Sequence, residues 1–159
     1  GTTLTALRLS GANVELLHVG DSRCYQWNGK ILTQRSVDHT VMQELIDQGR
    51  LTREEALDHP QRSLLTQALM GDSGIDPLLV LFPAKIGDRF LLCSDGLSGV
   101  LSDHEIATIL KKSKDAEVLD DLVAAVKAKG APDNITVVLA EVVAAELSST
   151  DIQLLGAAE

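Results

Sequence analysis

Phe90-Leu91-Leu92-Cys93-Ser94-Asp95-Gly96-Leu97-Ser98-Gly99-Val100 is the stretch on which the reading of this chain turns. The apolar run from Phe90 to Cys93 has the length and composition of a buried strand, and it stops abruptly at Ser94, Asp95 and Gly96. A carboxylate is thereby delivered to the rigid end of a strand. Gly96 and Gly99 let the chain turn tightly and let main-chain atoms approach a ligand or an ion. Alone, an Asp-Gly pair after a core strand is an ordinary turn. Two further acids shift the balance: Asp133 stands before the apolar run Ile135 to Val143, and Asp21 stands after Val14 to Val19. Three acids at three strand ends point to a metal.

Working outward towards the start, Thr2 to Leu9 reads as a first strand, Ser10-Gly11-Ala12-Asn13 as a turn and Val14 to Val19 as a second strand. Gly20-Asp21-Ser22-Arg23 follows, then Cys24 to Trp27, and then Asn28-Gly29 before Lys30-Ile31-Leu32. Asn-Gly between two such runs is a hairpin signal, because both residues tolerate positive φ. Asp21 is expected between consecutive antiparallel strands, with Arg23 placed either to pair with it or to leave it for a metal or phosphate. Tyr25 and Trp27, two apart in a strand, are expected to pack on one face. Further on, Leu78 to Phe82 and Arg89 to Cys93 are strands separated by a turn region from Pro83 to Asp88.

The periodicity changes between Leu32 and Gly71. Val41, Met42, Leu45 and Ile46 form a helical stripe closed by Gly49, and Thr52-Arg53-Glu54-Glu55 is a capping box opening a short helix that Pro60 stops. These elements carry too few large apolar residues to be a core, and they read as a flap over about 38–64. No Cys or second His stands at a ligand spacing from His39 or His59, so no zinc site is expected. Arg62 is placed either to meet a substrate or to pair with the acids of the flap. Beyond Gly99, Ser102 and Glu105 form another capping box, with Ile106, Ile109 and Leu110 on a core face. A last helix runs from about Ala116 to Lys129 with Leu119, Leu122, Val123 and Val126 on one side.

With 159 residues and 45% apolar content the chain suits one domain with a real core, over 1–143, followed by a tail or linker over 144–159. A net charge of −9 disfavours nucleic acid or an anionic membrane as partner. No apolar run approaches a membrane span. Two cysteines, Cys24 and Cys93, define no disulfide scaffold and read as small buried thiols of a cytoplasmic chain. Gly1-Thr2-Thr3 brings no initiator Met and no signal-peptide pattern, so an upstream cut is expected.

Several short motifs, in order, resemble the metal-dependent serine/threonine phosphatases of the PP2C (PPM) family, in particular the compact bacterial type. They are Gly1-Thr2-Thr3, Gly20-Asp21-Ser22-Arg23, Leu32-Thr33 with Asp38-His39, Leu65-Thr66-Gln67-Ala68-Leu69, Gly87-Asp88 before Leu91 to Leu97, and Asp133-Asn134-Ile135-Thr136. The resemblance implies an α+β fold, a four-layer αββα sandwich of two antiparallel sheets flanked by helices, N-terminally incomplete, with a small helical flap. It implies hydrolysis of phosphoserine and phosphothreonine in signalling phosphoproteins. In its terms Asp95 and Asp133 are catalytic and hold two Mn²⁺ or Mg²⁺ ions, Asp21 belongs to a third ion, Gly96 and Asn134 shape the rim, and Arg62, Asp38 and His39 are substrate or flap candidates. No organic cofactor is implied.

The residue types suit that chemistry. Two carboxylates about 4 Å apart repel by roughly 4 kcal/mol at an effective dielectric of 20, so acids converging in a cleft ask for cations. All-oxygen donors suit Mg²⁺ or Mn²⁺. A pair of such ions supplies a nucleophilic water and stabilises the leaving oxygen, with no phosphoenzyme needed, and Cys93 lacks the phosphate loop of a thiol nucleophile. The family's upstream Arg, Asn-Glu-Asp element and Asp-Gly-Met-Gly-Gly loop do not occur here, and Gln67 stands at a usually basic position. The isolated chain is therefore expected to be inactive, with exposed edges that favour self-association. The alternative is a catalytically dead interaction module on the same sandwich.

Overall fold

The computed structural model describes residues 1–57, 59–71, 74–113 and 117–144. The chain opens with β1 (Leu4–Ser10), turns at Gly11 with φ of +60°, and returns as β2 (Asn13–Val19), with Leu7 opposite Leu16 and Leu9 opposite Val14. On the other side of β2 lies β5 (Leu78–Pro83), pairing Val80 with Leu16 and Phe82 with Val14, so the first sheet has the order β1-β2-β5. The second sheet contains β3 (Arg23–Trp27), β4 (Leu32–Gln34), β6 (Arg89–Cys93) and β7 (Val137–Glu141), in the antiparallel order β4-β3-β6-β7. The Asn28-Gly29 hairpin forms as read: Gly29 has φ of +85°, and Asn28 Oδ1 accepts from the N–H groups of Lys30 and Ile31.

One expectation fails at the β2–β3 step. Asp21 does not lie between neighbouring antiparallel strands, because β2 and β3 belong to different sheets. The burial pattern supplies the reason. β2 buries Val14, Leu16 and His18 on one face, whereas Cys24, Tyr25, Gln26 and Trp27 are buried in succession. Only a central strand with both faces covered hides a continuous run of that kind. β5 and β6 divide between the sheets in the same way, across the turn from Pro83 to Asp88.

Two cores result. Val14, Leu16, Cys24, Phe82 and Phe90 fill the space between the sheets. On the far face of the second sheet, Tyr25, Trp27, Leu91 and Cys93 pack against α3 (Asp95–Ser98), α4 (Asp103–Lys112), α5 (Val118–Ala128) and Leu101 of the α3–α4 connection, through Leu97, Ile106, Leu110, Val118, Leu122 and Val126 as well as Leu101 itself. The capping box of α4 is present, Ser102 Oγ accepting from the Glu105 N–H and Glu105 returning to the Ser102 N–H. In α5 the fully buried stripe is Val118, Leu122 and Val126, with Leu119 and Val123 beside it half-buried; the expected start at Ala116 falls outside the described residues.

The fold is thus the expected α+β pair of antiparallel sheets, but among the described residues helices cover one outer face only. Among the described residues no helix lies on the outer face of β1-β2-β5, where Leu79 and Leu81 are 72% and 63% exposed. Among the described residues three of the four expected layers are present. β7 starts at Val137, later than Ile135, because Ser94 Oγ accepts from the Thr136 N–H and donates to Asn134 O, occupying groups a longer ladder would use. The two helices of the 38–64 region are α1 (Val41–Asp47), capped by Thr40, and α2 (Arg53–Leu57), with Thr52 and Glu55 exchanging hydrogen bonds. The bridge from Thr40 to Leu65 closes their base, His39 ties that base to Gly20, and of α1 Met42 is buried. The tail beyond Ala144, with Ile152, Leu154 and Leu155, lies outside the described residues. No helix among the described residues is long and apolar enough to cross a membrane.

Candidate metal centre

The strand order brings the three acids to one end of the second sheet. β3 begins just after Asp21, β6 ends just before Asp95, and β7 begins just after the Asp133 loop. Carrying the Arg23-to-Cys93 register on by two residues sets Asp21 level with Asp95. On the other flank, the Ser94 N–H donates to Thr136 O at 3.0 Å, and Gly96 lies so close to the Asp133 loop that a Cβ there would sit 2.1 Å from Asn134 O. Asp21, Asp95 and Asp133 therefore follow one another along β3, β6 and β7. Asp95 opens α3, a four-residue helix that the sequence reading took for a turn.

Side chains from several elements fix the bend that carries Asp21. The His39 N–H donates to Gly20 O at 2.8 Å, and the Gly20 N–H donates to His39 Nδ1 at 3.2 Å. Thr5 Oγ1 donates to Ser22 O at 3.1 Å, and Thr3 Oγ1 shares a 2.8 Å hydrogen bond with Ser22 Oγ. Gly20 itself has φ of +106° and leaves no room for a Cβ, which would lie 2.3 Å from Thr3 Cγ2. Both peptide neighbours of Asp21 are held, and its carboxyl is not spent on them. Burial, and then the charges of Asp95 and Asp38, push the Asp21 carboxyl above its usual range, with its own peptide N–H and then Arg23 opposing. A carboxylate with that surplus of negative neighbours is relieved by a cation.

Arg23 does not pair with Asp21. Its Nε and Nη2 atoms donate to Asp38, at 2.9 Å and 2.7 Å to Oδ2, and Gln34 Nε2 adds a bond to Asp38 Oδ1 at 3.1 Å. Arg23 Nη1 continues to the hydroxyl of Tyr25, which donates to Asp103 Oδ1 at the start of α4. Burial works against the Arg23 charge, but Asp38 and Tyr25 hold it above its ordinary range. The fork-shaped guanidinium explains the choice: Asp38 presents both oxygens, with only 11% of its side chain exposed. Asp133 Oδ1 accepts from the Asn134 N–H at 2.7 Å. Arg62 lies in the loop after α2, its N–H donating to His59 O.

The donor set fits a hard divalent ion. It is carboxylate oxygen throughout, while Cys93 faces the helical core and burial pushes its thiol up to about 12. Among the described residues, however, no group of three or more His, Cys, Asp or Glu side chains surrounds one point suited to an ion.

A scan of protein-family models finds no match. Individual proteins do match. The chain is 46% identical over 157 residues to the serine/threonine protein phosphatase PstP of Mycobacterium tuberculosis, covering 99% of this chain and 30% of that protein. It is 34% identical over 142 residues to the serine/threonine phosphatase Stp of Listeria monocytogenes, covering 89% of this chain and 56% of that protein. The crystal structure of the M. tuberculosis PstP/Ppp phosphatase superimposes with a TM-score of 0.84 at 45% identity, over 89% of this chain and 60% of the other. The PstP catalytic domain in complex with two manganese ions gives 0.80 at 43% identity, over 89% and 59%.

Over nearly its whole length the chain is similar to bacterial serine/threonine phosphatases of the PP2C (PPM) type. It spans less than two thirds of the length of each of these relatives. That likeness agrees with the sandwich of two antiparallel sheets. Sequence reasoning missed the Arg23–Asp38 clasp and the contact of Gly96 with Asn134. The first carried a signal, an Arg-x-Tyr run before a polar loop holding an Asp. The second had none, since closeness between residues 38 positions apart is set by the β6–β7 pairing alone.

Proposed function

We propose that this chain is part of a protein serine/threonine phosphatase in which Asp95 and Asp133 hold two catalytic Mn²⁺ or Mg²⁺ ions and Asp21 serves a third. The alignment of the three acids along the ends of β3, β6 and β7 carries this reading, together with the two manganese ions in a relative's structure. When bound, such an ion pair supplies a water acidic enough to attack phosphorus and positive charge for the phosphoryl oxygens. The chain's own residues do the rest. Gly96 lets the Asp133 loop close on α3, so the spacing of Asp95 and Asp133 is set by main-chain packing. Asn134 lines the rim, and the α1–α2 flap with Arg62 and His39 guides a phosphoprotein segment towards it.

Since no three protein ligands gather among the described residues, and the solved relatives are longer, the 159-residue polypeptide alone does not assemble the dinuclear site and is inactive. The test is Mn²⁺-dependent hydrolysis of a phosphothreonine peptide by this chain and by its full-length parent. The expected result is activity in the parent only, abolished by Asp95→Ala or Asp133→Ala. Turnover by the 159 residues alone removes the incomplete-site claim. An inactive, metal-loaded parent favours the second reading, an interaction module, which the bare outer face of β1-β2-β5 also suits.

A further inference from the structure

Asp38 is the acid of this region that the metal reading leaves without a metal role. Its neighbour His39 is joined to Gly20 by two hydrogen bonds, so Asp38 stands beside Asp21 at the same end of the sheet. An oxygen donor so placed competes for any cation bound there. Yet both its oxygens are occupied: Oδ2 accepts from Arg23 Nε and Nη2, and Oδ1 accepts from Arg23 Nε at 3.1 Å and Gln34 Nε2 at 3.1 Å. Arg23 is in turn fixed by the Tyr25 hydroxyl, in a core position with no solvent exposure, which is anchored on Asp103. The clasp is built into the second sheet, not added at its surface. A guanidinium is suited to this task because it cannot be deprotonated and covers a carboxylate edge with parallel N–H groups.

Resting on the phosphatase reading above, we propose that Arg23 is a positioning residue that withholds Asp38 from the metal edge and so decides which carboxylates face the ions. Asp21 and Asp95 remain available, and Asp38 does not. Loss of the clasp leaves Asp38 as an additional hard donor beside Asp21, and the edge then binds a divalent cation more tightly and with the wrong ligand set.

Mn²⁺ titration followed by the electron paramagnetic resonance of the free ion tests this on the whole 159-residue chain, with circular dichroism melts run alongside. Arg23→Met is expected to bind Mn²⁺ at least about fivefold more tightly than the unaltered chain, and adding Asp38→Asn to it to restore the original affinity. A purely structural Arg23 gives the opposite pattern, weaker binding that Asp38→Asn does not repair. Arg23→Lys offers one point charge in place of a fork and is expected to tighten binding by about two- to threefold; it decides the matter if Arg23→Met does not fold. Tightening that persists in about 0.5 M KCl reports direct ligation, since the field of a lost surface charge is screened there. Unchanged or weaker binding in Arg23→Lys, tightening that vanishes in salt, or no Mn²⁺ binding by any variant overturns the proposal. Failure of the phosphatase reading shows up separately, as a parent protein that binds Mn²⁺ but does not hydrolyse the phosphothreonine peptide.

Discussion

The two sheets of this molecule are loaded differently. β4-β3-β6-β7 is covered on both faces, by the first sheet on one side and by α3, α4 and α5 on the other, and its central strands β3 and β6 are almost wholly buried. Among the described residues β1-β2-β5 is covered on one face, and β5 shows alternating exposure from Leu78 to Pro83. Candidate chemistry follows the same division, with all three acids at the end of the doubly covered sheet. A strand end clamped from both sides delivers a carboxylate to a reproducible place, and a half-covered one does not.

The largest effect that division predicts is at the joint between α3 and the Asp133 loop. Gly96→Ala puts a methyl group 2.1 Å from Asn134 O, against main chain that cannot rotate away. A loss of about 3 kcal/mol is expected by chemical denaturation, in the upper range for overpacking, together with weakened Mn²⁺ binding as Asp95 and Asp133 are pried apart. A stable Gly96→Ala with unaltered metal binding breaks the claim that main-chain packing sets this spacing. Next comes Leu122→Ala, which empties a fully buried position between α5 and the second sheet. About 3 kcal/mol is again expected for stability, but with Mn²⁺ affinity conserved in the fraction that remains folded.

Most of the fold was legible because its signals are local. The hairpin at Asn28-Gly29, the capping boxes at Thr52 and Ser102, and the apolar runs of β5 and β6 each act within a few residues, and each element formed where it was read. Assignment of strands to sheets was not legible from β2 to β3, since a sharp bend at Gly20 serves a hairpin and a crossover equally well. Of the candidate site, the carboxylates could be picked out by their place at strand ends. Their partners could not: Arg23 chose Asp38 over the nearer Asp21, because a loop fifteen residues further on returns to offer both oxygens.

A smaller effect comes from the inner face of the first sheet, where His18 is fully buried. Its Nδ1 shares a 2.9 Å hydrogen bond with Thr5 Oγ1, and its buried Nε2 meets no hydrogen-bond partner at bonding distance among the described residues. Burial, and then the neighbouring His39, lower the His18 pKa below its ordinary 6.5. The ring is therefore neutral in the folded protein where it would be protonated in the unfolded chain. Stability from this group is fully present above about pH 6.5 and falls as the pH drops towards the lowered folded value, with a slope of up to about 1.4 kcal/mol per pH unit for the one proton. His18→Gln, which does not titrate, is expected to flatten the stability profile below about pH 6.5 in urea melts. A profile as steep as the unaltered chain's assigns the acid sensitivity elsewhere.

The smallest expected effect sits on the bare face, and it is the most direct check on the contrast between the sheets. Leu79 and Leu81 point outward, opposite Leu17 and Glu15 of β2, and little of either side chain leaves water when the described residues fold. Replacing both with Thr introduces a β-branched side chain suited to an edge strand and removes apolar surface that gives almost nothing to the fold. The double variant is expected within about 0.5 kcal/mol of the unaltered 159-residue chain, against about 3 kcal/mol for the single Leu122→Ala. If instead the pair costs as much as Leu122→Ala, that face is covered in solution after all, either by a second copy of the chain or by residues beyond Ala144. Dependence of the loss on protein concentration separates these, since only an intermolecular cover weakens on dilution.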